Sequence, residues 1–427
     1  MSAGDAGTAP TGASVETAPG PTPPIPRVRR QRSRTGIILV VVLILVVAAV
    51  VAVGFQQKWF GGASSKSKSA CTTGLTISGN GAQIVNPLLS VWTADYASAY
   101  GNQVNYVDGG SGTGLTDFSE NPPLIDFAVT DNPLSAAQRA AMPSQPLTLP
   151  FIGGAITVIY NLPDVAGHLN LTGAILAEIY NGNITTWNDP AIVAVNAGVA
   201  LPDQTIITVH RVDSAGTSYV FTDLLSQDSP YWAKAVGKGL LPAWPKAPEQ
   251  QGVKGNALVL STVGSTPYSI GYSDLTDTLT YTASSLQYAA VENPAGRFVA
   301  PTLTDTLSAI NNKIASTEAA GGLPSSTASW FNVSMVNANG TGDYPLATFI
   351  YLYVYQAADK GFEPSLAKTQ VLVQWVDYML SPAAQSLANA TTPTELYYVA
   401  VPSAIVAIDQ AGLQTMTFNG AAVPACQ

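Results

Sequence analysis

The chain is short of charge. Only 11% of its 427 residues are Asp, Glu, Lys or Arg, against about 25% in an ordinary soluble domain. Histidine is limited to His168 and His210, and cysteine to Cys71 and Cys426. With so few, there is no H-x-x-x-H pair and no Cys/His cluster at zinc spacing. No serine lies in G-x-S-x-G, and no G-x-x-x-x-G-K-[ST] loop occurs. A hydrolase needs an activated nucleophile beside a base, and none can be assembled from these residues. The sequence reads as a non-enzyme that uses no metal and no cofactor. Long apolar runs are also missing, residues 36–55 excepted.

The charge that exists is split along the chain. Eight of the 18 Lys and Arg residues precede Cys71, but only two of the 27 acidic ones do. The remainder is strongly acidic. Such a surface excludes a nucleic-acid partner, which needs a basic stripe. An anion bound here is held by local hydrogen bonds and not by a long-range field.

Residues 1–26 are mostly Ala, Gly, Pro, Ser and Thr, and Arg27, Arg29, Arg30, Arg32 and Arg34 follow. Residues 1–35 are expected to be a disordered cytoplasmic tail. Residues 36–55 carry no charge. At about 1.5 Å per residue they span about 30 Å, one bilayer core. They are predicted to be a single-pass transmembrane anchor, with the body extracellular. A cleavable signal peptide is the competing reading, but the apolar stretch is long for one and no clear small-x-small site follows. Residues 56–73 read as a flexible stalk. Cys71 and Cys426 bracket the body, which outside a membrane suggests one disulfide joining its ends. Two free thiols are the alternative.

From Leu75 onward, short β-rich runs end in Gly/Ser/Asp loops and helix-like stretches follow. This alternation predicts an α/β architecture with mostly parallel pairing. Ligands bind such sheets at the C-terminal strand ends, where helix N-termini offer unpaired N–H groups. The 110–114 and 215–218 loops have glycine for close backbone approach and Ser or Thr for hydroxyl donors. A Gly/Ser loop alone is more often a plain turn. Arg211 adds weight, because arginine forks onto tetrahedral oxyanions and Asp213 stands two residues on to orient it. Taken alone, the two would be a surface ion pair of little energy. Asp131 suits a protonated oxyanion, since a carboxylate accepts a hydrogen bond from HPO4 but repels sulfate. Before Asn132-Pro133 it is equally placed to cap a turn.

Several segments carry a resemblance to a known family. They include Ile77-Ser78-Gly79-Asn80-Gly81-Ala82, Gly110-Ser111-Gly112 and Asp126-Phe127-Ala128-Val129-Thr130-Asp131-Asn132-Pro133. Ile179-Tyr180-Asn181-Gly182-Asn183-Ile184-Thr185-Thr186-Trp187-Asn188-Asp189-Pro190, His210-Arg211-Val212-Asp213-Ser214-Ala215-Gly216-Thr217-Ser218, Lys254-Gly255-Asn256 and Ile270-Gly271-Tyr272 complete the set. In this order they resemble the phosphate-binding protein of the high-affinity phosphate ABC importer, from about Leu75 to the C-terminus.

The resemblance implies a two-lobed periplasmic-binding-protein-like fold with a double-crossover hinge. Lobe 1 would be 74–152 plus 344–427 and lobe 2 would be 153–343, with hinges near Pro150 and 344–349. It implies capture of phosphate for an ABC permease. The ligand set carried over is Gln83, Ile84, Ser111, Asp131, Arg211, Asp213, Ala215, Gly216 and Thr217. Ser111 and Thr217 would supply hydroxyls, Asp131 would accept the phosphate proton, and Asp213 would hold Arg211. Two positions depart from the family pattern. Ala215 stands where a serine is usual, and Gln83-Ile84 where Thr-Phe is usual. Ser214 or Gln83 would have to compensate. Otherwise the ligand is another oxyanion or small acid, or the body is a structural or adhesive surface protein that has lost its ligand.

Overall fold

The structure is a computed structural model that describes residues 71–426 except 164, 166, 282–284 and 390–394. The tail, the transmembrane anchor and most of the stalk predicted from the sequence lie outside the described residues. Among the described residues, no helix is long and apolar enough to cross a membrane.

The main sheet has nine strands: β1 (Thr76–Gly81), β2 (Gln103–Val107), β3 (Phe127–Thr130), β4 (Pro146–Asn161), β5 (Ile207–Arg211), β6 (Glu249–Val253), β7 (Ser269–Asp274), β8 (Gln287–Tyr288) and β9 (Ala347–Tyr355). Their order is β2-β1-β3-β9-β4-β7-β5-β6, with β8 paired to β4. In one half β1 runs parallel to β2 and β3. In the other half β5 runs parallel to β6 and β7. Each half is built from strand–helix crossovers, which give parallel neighbours.

The centre corrects the expectation of mostly parallel pairing. There β4 pairs antiparallel with β9 and β7, and β9 with β3. The reason is that β4 and β9 carry the chain between the halves and do not belong to a crossover unit of either. Residues Pro146–Ala155 of β4 lie along β9, and Ile156–Asn161 lie along β7. All sixteen residues of β4 are buried. Pro150 has no N–H to give a ladder, and the register shifts where it faces Tyr351.

Helices cover the sheet through apolar stripes. In α1 (Asn86–Tyr100), Leu88, Trp92 and Tyr96 recur every four residues and are buried on one face. Pro87 starts the helix, where a missing N–H costs nothing, and Gly101 at φ 71° ends it. Tyr96 packs edge-on against Trp375 of the helix Leu366–Met379, ring centroids 5.1 Å apart. The main apolar cluster contains residues of both halves, from Ile77 and Phe127 to Phe221 and Tyr272.

Cys71 and Cys426 form a disulfide, with Cα atoms 5.1 Å apart and a sequence separation of 355. Of the two readings left open, the paired one is the structure's. Loop-closure entropy makes such a long link worth about 2–5 kcal/mol. Replacing both cysteines with serine should lower the melting temperature, and reductant should do the same to the parent but not to the variant. Thermal unfolding with and without reductant checks this, and equal melting curves would count against a stabilising role.

Candidate anion-binding site

The loops after β1, β2, β3 and β5 meet at one small cavity. Seven of the nine predicted residues line it: Gln83, Ser111, Asp131, Arg211, Ala215, Gly216 and Thr217. Gly110 and Asn256 complete the lining.

Three helices begin at this cavity, one of them at Asn256. Gly110, at φ 95°, is the residue before α2 (Ser111–Ser119), and Ala215 precedes α3 (Gly216–Asp228). The first N–H groups of a helix have no partner within it and carry partial positive charge. Gly110 adopts a φ that a side chain resists. Gly216 is needed for another reason: a Cβ there would run into the Asp131 carboxyl group.

Arg211 is the last residue of β5 and is only 1% exposed. Its backbone N–H donates to the Tyr272 hydroxyl (3.1 Å), and its carbonyl accepts from Trp244 Nε1 (3.0 Å). Its Nε donates to Asp213 Oδ1 (2.7 Å), and its Nη2 donates to Asp213 Oδ2. One edge of the guanidinium is thus clamped by a two-point ion pair. Nη1 donates to Asn256 Oδ1 and to Thr217 Oγ1 (3.3 Å). Burial pushes the Asp213 carboxyl up, but the Arg211 hydrogen bonds and charge outweigh it and hold the group below its ordinary value.

Asp131, 2% exposed, stands opposite. Its Oδ1 accepts from Ser111 Oγ (2.8 Å). Its backbone carbonyl accepts from Thr348 Oγ1 (3.1 Å), on β9. Burial pushes its carboxyl up to about 6, against the Ser111 hydrogen bond and the Arg211 charge, which both pull it down. The cavity therefore sets a reluctant acid against a clamped cation. That combination suits an oxyanion carrying one proton.

Several expectations need correction. Ile84 does not line the cavity. It is 2% exposed in the apolar core, and its carbonyl accepts from the Tyr398 hydroxyl (2.6 Å). Asp213 acts on the cavity only through Arg211. The Ala215 N–H donates to the Leu240 carbonyl (2.8 Å), so that position offers an anion neither hydroxyl nor N–H. Ser214 does not line the cavity either. Its hydroxyl packs against Gly112, and its carbonyl accepts from the Gly112 N–H (3.0 Å). Of the two residues expected to compensate, only Gln83 is in place. Asn256 carried no predicted role. The signal for it was present in Lys254-Gly255-Asn256, because a glycine at φ 81° directly before a helix marks another N-terminus.

The model of the PBP superfamily domain matches residues 65–383. The phosphate-binding protein PstS of Pasteurella multocida is 34% identical over 345 residues, covering 81% of this chain and 91% of that one. The protein of the same name from Methanocaldococcus jannaschii is 34% identical over 329 residues, covering 74% and 82%. A phosphate-binding protein from Stenotrophomonas maltophilia superposes with a TM-score of 0.58 at 17% identity, over 79% of this chain and 93% of that one. A high affinity periplasmic phosphate-binding protein, PfluDING, bound with phosphate at pH 8.5, gives 0.59 at 18% identity, over 79% and 93%. The two structural likenesses show the fold, in which two α/β lobes flank the crossing strands. This chain belongs to the PBP superfamily and, within it, to the family of PstS phosphate-binding proteins.

Proposed function

We propose that the chain is an extracellular solute-binding protein that captures inorganic phosphate beside Arg211 and hands it to an ABC permease. One observation carries this reading: a buried arginine, clamped by Asp213, faces a buried carboxyl across a cavity where three helices begin. Lobe 1 is 74–152 plus 344–427, lobe 2 is 153–343, and β4 and β9 form the hinge between them. Residues 36–55 tether the body to the membrane. Ser111, Gly216 and Thr217 donate to the phosphate oxygens, Arg211 adds the one N–H that Asp213, Asn256 and Thr217 leave open, and Asp131 accepts a hydrogen bond from the protonated oxygen. Ala215 favours a second reading, another oxyanion, because it lacks the hydroxyl that a serine there would give and its N–H is already bonded to Leu240. Competition by sulfate, arsenate and phosphonates separates the two.

The Asp131 role has a test in two parts. Sulfate brings no proton at neutral pH, so the parent should bind phosphate at one site and exclude sulfate. Asp131→Asn turns the acceptor into a donor and should narrow that preference sharply, as read by titration calorimetry at pH 7.5. The second part is stability. The folded Asp131 is harder to ionise than the unfolded one, its value rising from 3.8 to about 6. Its contribution is therefore fully present below pH 3.8 and lost as pH rises through 6. The cost of ionising it at pH 7.5 is about 3 kcal/mol. Asp131→Asn should thus melt higher than the parent at pH 7.5 and gain nothing at pH 3.5. If the parent fails to bind phosphate anywhere between pH 5 and 8, the reading is wrong.

A further inference from the structure

We infer that Gln83 is a latch that fastens the closed cleft and, with the same amide, offers the bound anion a donor. Gln83 follows β1 in a short 3-10 turn, in the β1–β3 half. Asn256, 173 residues on, opens the helix Asn256–Ser265 beside the β5–β7 half. Gln83 Oε1 accepts from the Asn256 backbone N–H at 3.0 Å. This contact fixes the amide's orientation. A backbone N–H can only donate, so the atom facing it is the oxygen and the other is the NH2 group. Among the described residues, no hydrogen bond runs from that NH2 group to the protein, and Gln83 borders the cavity.

The latch lands on a fixed point. Asn256 Nδ2 donates to Asp274 Oδ2 (2.7 Å), and Asn256 Oδ1 accepts from Arg211 Nη1. The amide of Gln83 thus joins the β1 loop to the residue that steadies the anion-holding arginine. The N–H it captures is the first of a helix, a group with no partner inside that helix. Closing the cleft satisfies it, and opening the cleft returns it to water. A second bond crosses at the same place, from the Gly112 N–H to the Ser214 carbonyl, but it is backbone on both sides. Gln83 is a side chain through which the sequence sets how firmly the cleft stays shut at the anion site before any anion arrives. Its donor role rests on the phosphate reading above. Its latch role does not.

The test uses the full chain in detergent with spin labels at Val107→Cys and Leu258→Cys, both exposed and one on each half. The native cysteines are already paired. Pulsed electron resonance then reads the distance across the cleft without anion, and calorimetry with inorganic phosphate at pH 8 reads affinity. Losing one neutral hydrogen bond should lower the closed-to-open ratio about 2- to 12-fold. Gln83→Ala should therefore lengthen the mean distance and weaken phosphate binding. Gln83→Glu keeps an oxygen for the Asn256 N–H but replaces the donor with an acceptor. It should hold the parental short distance while losing more affinity than the alanine variant, and it also serves as the folding control. A Gln83→Ala distance distribution identical to the parent's overturns the latch. Parental affinity in Gln83→Glu overturns the donor role. If no variant and no parent binds phosphate, yet Gln83→Ala opens the cleft, the latch stands and the phosphate reading falls.

Discussion

Arg211→Ala is expected to weaken phosphate binding about a hundredfold to ten-thousandfold, because it removes a charge-assisted hydrogen bond of about 1.5–3 kcal/mol and strands the Asp213 carboxylate at a similar cost. The damage does not stop at the missing fork. Asp213 would lose the cation that takes both its oxygens. It would then present an unpaired carboxylate next to the anion. Asn256 and Thr217 would lose a shared partner as well. Arg211→Lys should fall between parent and alanine, since a lysine keeps the charge but cannot hold Asp213 and the anion with one planar group. Arg297→Ala is the control. Arg297 is exposed, and its loss should leave affinity unchanged if binding is local and owes nothing to the overall field. Titration calorimetry of the three variants decides the matter. Equal losses in Arg211→Ala and Arg297→Ala would mean that general charge, not the clamped fork, holds the ligand.

Gly216→Ala is expected to be nearly as severe, for a steric reason. The backbone at Gly216 is ordinary helix start, and no left-handed φ demands glycine there. On propensity alone alanine would gain up to about 1 kcal/mol. The new methyl group, however, would run into the Asp131 carboxyl. Asp131 is held in place by Ser111 through its side chain and by Thr348 through its carbonyl. Either Asp131 or the start of α3 must then move, and overpacking of this kind costs about 1–3 kcal/mol. Both groups border the cavity, so phosphate affinity should fall by about two orders of magnitude or more, as expected when charged hydrogen bonds lose their geometry. A double-mutant cycle isolates the cause. In an Asp131→Ala background, Gly216→Ala should no longer lower the melting temperature. If the loss of stability persists in that background, the clash lies elsewhere.

Much of this site was legible because its signals are local. A strand end followed by glycine and a hydroxyl residue is a short-range pattern, and the Arg211, Ser111 and Thr217 positions follow from it. What stayed hidden depends on contacts between distant segments. Gln83 and Asn256 meet only after folding. The commitment of the Ala215 N–H requires Leu240, twenty-five residues away. The long strand β4 was not legible at its full length. Pro146 and Pro150 obscured its first part, since proline within a run argues against a strand. The structure accommodates Pro150 at the register shift facing Tyr351. Ile84 was misplaced for a related reason. Its neighbour Gln83 points to the cavity while Ile84 turns into the core, and resemblance alone does not tell which of two adjacent side chains faces which way.

The Cys71–Cys426 bond has a mechanical consequence. The two residues that bracket the folded body are welded at one spot, their Cα atoms 5.1 Å apart. Tension from anything attached upstream of Cys71 can run straight through sulfur to Cys426 and need not cross the sheet. Both bracketing residues pack against the core that holds α1 and the helix Leu366–Met379. Neither cysteine lies in the β5–β7 half, so a pull on the bond between them has no handle there. A force applied between those two residues should then leave the cleft angle alone.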